Sequence, residues 1–217
     1  NLTAVTGSGT GTITQAQIAS VSGITAAGKT YDGTDAATLN AGATYNGLLG
    51  SDSLSFSATK AAFSDKNAAS GKTVNVEGIV LGGTDAGNYT LASNTATGTG
   101  DIGKAVITGV SGITAGDKVY DGTRGATLDT SGATFAGMVA GDRLSASGAG
   151  LFADKNAAIG KTVNVEGIAL AGADAGNYTL SANTASTKAS ISQATITGVV
   201  GITAGDKVYD GTRGATL

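Results

Sequence analysis

The sequence contains no cysteine, histidine, proline or tryptophan, and it has one methionine and four phenylalanines. Catalytic pairs that need an imidazole or a thiolate are therefore excluded, as are zinc sites built from cysteine and histidine. Carboxylate, lysine, tyrosine and hydroxyl chemistry remain available, together with cation binding by oxygen atoms. We expect a protein that is not an enzyme and that has no catalytic, cofactor-binding or metal site.

Charge is sparse and long apolar runs are absent. The chain carries 13 basic and 16 acidic residues, for a net charge of −3, and this balance does not favour nucleic-acid binding. No run of about 18 apolar residues occurs, so membrane insertion is not expected. The sequence starts at Asn1 without a recognisable signal peptide, and we expect it to be an interior piece of a longer chain. The lack of cysteine fits a cytosolic protein or an exported one without disulfides.

Internal repetition is the strongest signal. The motif YDGT begins at Tyr31, Tyr120 and Tyr209, and both intervals are 89 residues. Other motifs keep the same step: GIT at Gly23, Gly112 and Gly201, DKNAA at Asp65 and Asp154, GKTVNVEGI at Gly71 and Gly160, and DAGNYTL at Asp85 and Asp174. This period is too long for one turn of a solenoid and suits a whole small domain in each copy.

The repeats divide the chain into four segments. We predict the C-terminal tail of a preceding repeat at 1–14, complete repeats at 15–103 and 104–192, and the truncated start of the next repeat at 193–217. Between Asn40 and Ala61 the register of the two copies shifts by one residue, and it is restored by Phe63, which predicts two gaps in loops. Residues 103–105 alone would link the complete repeats, so we expect an elongated array with limited bending.

The hydrophobic pattern within a repeat is that of strands. Leu54 and Phe56 alternate with serines, and Val74 and Val76 alternate with polar residues. The alternation changes phase at Gly78, which predicts a bulge or a bend. No stretch keeps helical spacing for more than about two turns, so the predicted class is all-β.

Two motifs allow both a structural and a binding interpretation. In YDGT, we expect Tyr31 and Tyr120 to pack on the core before an Asp-Gly turn with a positive φ at the glycine. The alternative is a glycan contact through the tyrosine ring and the aspartate.

The DAGNYTL motif is interpreted as a turn, with two alternatives. Its polar side chains offer oxygen ligands for calcium, although six to eight would be needed. The candidates are Asp85, Asn88, Asp174 and Asn177, with Asp65 or Asp154 as a third ligand. Glycosylation sequons also begin at Asn1, Asn88 and Asn177.

The ordered motifs GIT, YDGT, DKN, GKTVNV and DAGNYTL resemble the YDG-type repeats of large bacterial filamentous-haemagglutinin-like adhesins, which are exported by two-partner secretion. The resemblance covers essentially the whole chain. It implies tandem small β domains of a β-grasp-like type in an elongated array. It also implies an extracellular location or one on the outer surface of a Gram-negative cell, in adhesion and biofilm proteins.

Repetition without reactive side chains favours a structural role. We expect the repeats to form a stalk that extends a binding tip away from the cell, with adjacent repeats of the same chain as partners and host or matrix glycans bound through other domains. The alternative is a multivalent module in which every repeat binds a glycan or matrix polymer weakly. The change of Phe56 to Ala146 and of Tyr45 to Phe135 between copies argues against a shared aromatic platform.

Overall fold

A computed structural model describes residues 8–217, and nearly all of its regular structure is β-strand. It contains 22 strands and two 3-10 helices of three residues each. The all-β prediction is therefore confirmed. Nowhere in residues 8–217 is there a helix with the length and apolar character needed to cross a membrane.

Eleven strands belong to the first predicted repeat and eleven to the second. The first set is β1 Ala16–Ile18, β2 Ser20–Ser22, β3 Ile24–Thr25, β4 Lys29–Thr30, β5 Thr44–Asn46, β6 Ser55–Ser57, β7 Lys60–Phe63, β8 Ala69–Glu77, β9 Val80–Gly82, β10 Tyr89–Leu91 and β11 Thr95–Gly103. The second set is β12 Ala105–Ile107, β13 Gly109–Ser111, β14 Thr114–Ala115, β15 Lys118–Val119, β16 Gly125–Ala126, β17 Leu128–Asp129, β18 Thr134–Ala136, β19 Ser145–Phe152, β20 Ala158–Ala171, β21 Tyr178–Leu180 and β22 Ala185–Ser192. The 3-10 helices are Ala86–Asn88 and Ala175–Asn177.

The last strand of each repeat is an interior strand of its main sheet, with partners on both edges. In the first repeat β11 pairs antiparallel with β8, and β8 pairs with β7. The other edge of β11 pairs in parallel with β3 and β4. Smaller pairs join β1 with β10, β2 with β5 and β6 with β9. In the second repeat β22 pairs with β20 and β15 in the same way.

The bend predicted at Gly78 is confirmed, and the chain passes there from one sheet into another. Val74 and Val76 on β8 are fully buried, and the strand ends just before Gly78, whose φ is +65°. Beyond it β9 pairs with β6 instead of β11. A Cβ at Gly78 would lie 2.0 Å from Oγ1 of Thr59, so only glycine fits this bend.

One of the two predicted gaps lies in a loop and the other does not. The first falls in the turn before β5 and the corresponding turn before β18. The second falls at the break between β6 and β7, where the second repeat has the single continuous strand β19. The extra residue is accommodated because the first repeat interrupts its strand there.

The residues group into two compact units. The first unit extends to Val110 and also contains Thr134–Ser145 and Leu170–Ala182, while the second contains Ser111–Ala133, Ala146–Ala169 and Asn183–Leu217. Part of the second repeat thus belongs to the same compact unit as the first repeat. Only Lys104 separates β11 from β12, so the connection is shorter than the three residues predicted.

Each unit has its own hydrophobic core. The core of the first unit includes Ile18, Phe63 and Val74, and it also takes in Ile107 and Tyr178 from the second repeat. The core of the second unit is built on buried Phe152, Val163, Ala189 and Ile191. Segments 8–15 and 193–217 contain no strand. Ile13 is 99% exposed, whereas its counterpart Ile102 is 2% exposed.

Candidate functional site

The YDGT motif forms the predicted turn, and a lysine stabilises it. Gly33 has φ +81°, and Oδ1 of Asp32 accepts hydrogen bonds from the amide (2.9 Å) and hydroxyl (2.8 Å) of Thr34. The ammonium of Lys29 lies 2.8 Å from Asp32 and also donates to two carbonyl oxygens. The bond from Lys29 and that from the Thr34 amide lower the pKa of Asp32 to about 2. We call this arrangement the lysine turn.

The lysine turn recurs in all three copies of the motif. Lys118 lies 2.8 Å from Asp121, and Lys207 lies 2.7 Å from Asp210. Gly122 and Gly211 have φ values of +79° and +77°. The third copy lies in 193–217, where no strand forms, so the turn depends only on residues close in sequence.

Tyr31 is buried under residues of the second repeat. It is 3% exposed, and its hydroxyl lies 2.8 and 3.1 Å from the two carboxylate oxygens of Asp142. Tyr178 donates to the same carboxylate at 2.6 Å, and the two tyrosine rings meet edge to face with centroids 5.5 Å apart. One carboxylate therefore accepts hydrogen bonds from tyrosines of two successive repeats.

Lys66 brings a positive charge to this carboxylate. Its ammonium lies 3.1 Å from Asp142 and 3.5 Å from Asp174, and 5.8 Å from the centroid of the Tyr31 ring. The side chain of Asp142 is 2% exposed, whereas that of Lys66 is 41% exposed. A buried carboxylate is tolerated here because a cation and two hydroxyls satisfy it.

An asparagine pair extends the contact. Asn177, which is 4% exposed, accepts a hydrogen bond from the Ala68 amide at 2.9 Å and donates to Asn67 at 3.2 Å. We define the Tyr31 surface as Tyr31, Gly33, Lys66, Asn67 and Ala68, and the Asp142 pocket as Val139, Asp142, Asp174, Asn177 and Tyr178. Together they form the interrepeat cluster, and all of it lies in the first compact unit.

Burial and contacts within the interrepeat cluster shift the pKa values of Asp142, Tyr178, Tyr31 and Lys66. Burial alone would raise the pKa of Asp142, but hydrogen bonds from Tyr178, Tyr31 and Lys66 outweigh it and leave the pKa below its usual value. Burial and the bond to Asp142 raise the pKa of Tyr178 to about 12, and the same causes raise that of Tyr31. The interactions with Tyr31 and Asp142 raise the pKa of Lys66. Near neutral pH these shifts keep Asp142 ionised, Lys66 charged and the phenols of Tyr31 and Tyr178 neutral.

The prediction that Tyr120 is buried like Tyr31 is wrong. Tyr120 is 38% exposed. Tyr31 is covered by Asp142 and Tyr178, and the positions one period after those two are not among the 217 residues of this sequence. The difference in burial between Tyr31 and Tyr120 therefore follows from the contact that Tyr31 makes with the next repeat.

The carboxylates among the candidate calcium ligands are engaged with protein groups. Asp85 and Asp174 each accept a hydrogen bond from a backbone amide at the start of a neighbouring segment, at 2.8 and 2.9 Å, and Asp65 is paired with Lys72 at 2.8 Å. Asp154 is paired with Lys161. Within residues 8–217 no group of three or more metal-ligating side chains is suited to hold a metal ion.

The sequons lie in different environments. Asn88 is exposed, whereas the amide of Asn177 is buried and hydrogen-bonded on both its oxygen and its nitrogen. Asn177 therefore cannot accept a glycan once the interrepeat cluster has formed. Asn1 lies outside the described residues.

Aromatic side chains do not form the same surface in both repeats. Tyr45 and Phe56 line an open cavity of about 380 Å³ in the first repeat, beside Asn40. The corresponding positions in the second repeat hold Phe135 and a buried alanine, Ala146. The YDGT tyrosine does not give the two repeats a shared stacking surface either, because the ring of Tyr31 is buried.

Asp142 was not among the predicted site residues, although the two repeats carry a signal for it. Asp52 occupies the equivalent position of the first repeat, and both copies keep the aspartate while the residue after it changes from Ser53 to Arg143. In the first repeat Tyr89 donates to Asp52 at 2.6 Å, as Tyr178 does to Asp142. An aspartate retained between variable neighbours is a usable sign of a buried acceptor.

Comparison with known proteins agrees with the repeat structure. No curated protein and no solved structure matches the chain, so the β-grasp-like type implied by the resemblance stays a prediction. A family model described as the YDG domain matches residues 6–97 and again residues 104–189. These two matches cover most of the sequence, one for each complete repeat, and the chain belongs to the YDG domain family.

Proposed function

We propose that this chain is a stretch of structural stalk repeats in a bacterial surface or secreted adhesin, where the repeats extend a binding tip away from the cell. The single observation that carries the proposal is the interrepeat cluster. Its buried carboxylate is satisfied only when two successive repeats supply tyrosines, so each contact fixes one repeat to the next.

The connection between the repeats supports the same role. A one-residue linker, Lys104, leaves little freedom between β11 and β12. A flexible tether would need a longer, glycine- and serine-rich connection. A stalk must resist bending at the junction between repeats. The short linker and the buried polar contact around Asp142 both restrict such bending.

Adding repeats tests the spacing role. The segment 104–192 can be duplicated in the chain one, two or three times, which keeps every existing junction. A domain of 89 residues has a diameter of about 30 Å, so the maximum dimension measured by small-angle X-ray scattering should grow by about that amount with each added repeat. Growth with the cube root of mass, as expected for a compact particle, would contradict the stalk.

The location is tested in cells that make the full-length protein. Protease added to intact cells, followed by blotting with an antibody to this segment, should remove the signal while a cytoplasmic marker survives. A signal that is protected until the cells are lysed would contradict the surface location.

A further inference from the structure

Lys72 occupies a core-facing position of a strand, where a charged side chain is unusual. On β8 it alternates in the same register as the buried Val74 and Val76, and its side chain is 7% exposed. Lysine is almost never buried unless a partner satisfies its charge. The partner is the carboxylate of Asp65, which lies 2.8 Å from the ammonium and is half exposed.

Asp65 uses the same oxygen atom to fix the loop between β7 and β8. Its Oδ1 atom accepts a hydrogen bond from Lys72 and another from the amide of Asn67, at 2.8 and 2.7 Å. These two bonds lower the pKa of Asp65, so the carboxylate stays ionised at neutral pH. We call Lys72, Asp65 and the amide of Asn67 the Asp65 clamp, and we call residues 65–68 the DKN loop.

The DKN loop supplies half of the contacts in the interrepeat cluster. The Lys66 ammonium lies 3.1 Å from Asp142. Asn67 accepts a hydrogen bond from the Asn177 side chain at 3.2 Å, and the Ala68 amide donates to that side chain at 2.9 Å. All three contacts come from the three residues that follow Asp65, so a shift of this loop would break them together.

The second repeat forms the same clamp in a loop that is not part of the interrepeat cluster. Lys161 is paired with Asp154, whose Oδ1 atom accepts the amide of Asn156 at 2.8 Å. The Lys161 side chain is 8% exposed, as deeply buried as that of Lys72, whereas Lys155 and Asn156 are exposed. The clamp is therefore a property of a single repeat, and contact with a neighbour is not needed to form it.

Stability of the fold does not explain a lysine at this position. Replacing a buried ion pair by an apolar side chain of similar volume often leaves stability unchanged or raises it. Both repeats nevertheless carry the lysine and the aspartate at the same spacing, within the motifs DKNAA and GKTVNVEGI. What the ion pair adds is a fixed shape for the DKN loop.

We propose that Lys72 is a positioning residue of the interrepeat cluster: acting through Asp65, it holds the DKN loop in the conformation that fits the Asp142 pocket. A loop that is ordered before contact loses less conformational freedom when the contact forms. The inference deepens the stalk proposal and rests on it, because the interrepeat cluster is the junction that the stalk requires.

Lys72→Met tests the positioning role, because methionine keeps an apolar chain at the core-facing position and removes the charge. Lys161→Met is the matched control, with the same clamp outside the interrepeat cluster. Amide hydrogen exchange measured by NMR on the full chain reports the contact through the Ala68 amide, which donates to Asn177. The amides of β8, a strand paired on both edges, report the integrity of the fold.

Lys72→Met should speed exchange of the Ala68 amide by at least about tenfold, while the β8 amides change by less than about twofold. Lys161→Met should leave the Ala68 amide within about twofold of the unmodified chain. Asn177→Ala removes the acceptor and should also speed this exchange. Combining it with Lys72→Met should add little, because both changes act on one contact.

The proposal is overturned if Ala68 exchange is unchanged in Lys72→Met, if Lys161→Met accelerates it equally, or if the two accelerations multiply in the double variant with Asn177→Ala. If Lys72→Met also speeds exchange throughout β8, Lys72→Met combined with Asp65→Asn replaces it, since this pair leaves no unpaired charge. Its control is Lys161→Met with Asp154→Asn, and the same outcomes apply.

Scattering from chains with added repeats tests the stalk separately. Stepwise lengthening together with an unchanged Ala68 amide would overturn only the positioning role of Lys72. Compact growth together with an accelerated Ala68 amide would contradict only the stalk.

Discussion

The substitution Tyr31→Phe removes one hydroxyl from the interrepeat cluster and leaves the ring in place. The hydroxyl donates to a carboxylate whose side chain is 2% exposed, so the lost hydrogen bond is a charged, desolvated one. Such bonds contribute about 1.5–3 kcal/mol, and the free energy of unfolding should fall by that amount. The same change at Tyr120 removes an exposed hydroxyl and should cost less than about 0.5 kcal/mol.

Thermal unfolding followed by far-UV circular dichroism compares the two variants, since the chain has no tryptophan for fluorescence. For a chain of this size 1 kcal/mol shifts the melting temperature by about 2–4 °C, so Tyr31→Phe should melt about 3–12 °C lower. Tyr120→Phe should melt within about 2 °C of the unmodified chain. Equal shifts for the two variants would refute the argument that the following repeat determines the role of the YDGT tyrosine.

Two further predictions concern the same cluster. Gly33→Ala and Gly122→Ala both place a Cβ at a positive φ, at a cost of about 1–2 kcal/mol, but only the first brings it within 2.8 Å of a Val139 methyl. Chemical denaturation should show Gly33→Ala as the more destabilised by about 1–3 kcal/mol, with the difference removed by Val139→Ala. Because the pKa of Tyr178 is raised from about 10 to about 12 in the folded state, its contribution is complete below pH 10 and is lost as pH rises to about 12. The pKa of Asp142 is lowered, so its contribution is present above about pH 4 and is lost as pH falls further; melting temperatures that stay flat across both ranges would contradict these assignments.

The fold class and the local turns were predictable because the responsible interactions are short-range. Alternation at Val74 and Val76 predicts strands, and the Asp-Gly pair of each YDGT predicts a positive φ at Gly33. Lys29 completes that turn from two residues before the motif and was not identified, although its spacing to the aspartate is the same in all three copies.

The interrepeat cluster was not predictable in the same way. Tyr31 and Asp142 are 111 residues apart, and nothing in the pattern around either residue indicates that they meet. Tyr120 shows the consequence, because an identical motif gives a buried side chain in one copy and an exposed one in the next. Burial here is a property of neighbouring repeats, which a pattern within one repeat does not contain.

The parallel pairing of early with late strands sets an order of folding. Strand β1 pairs with β10, so Ala16 cannot pair until Tyr89 has been added to the chain. In the same way Ile24 on β3 cannot pair until Gly98 on β11 has been added. Contacts of this sequence separation are slow to form, because a long loop must close before they stabilise anything. A repeat that is being synthesised therefore cannot complete its main sheet until its last strand has emerged. Tyr31 and Lys66 precede Asp142 and Tyr178 along the chain, so a finished repeat would present a preformed template on which the next one closes, and folding would advance one repeat at a time from the N-terminus.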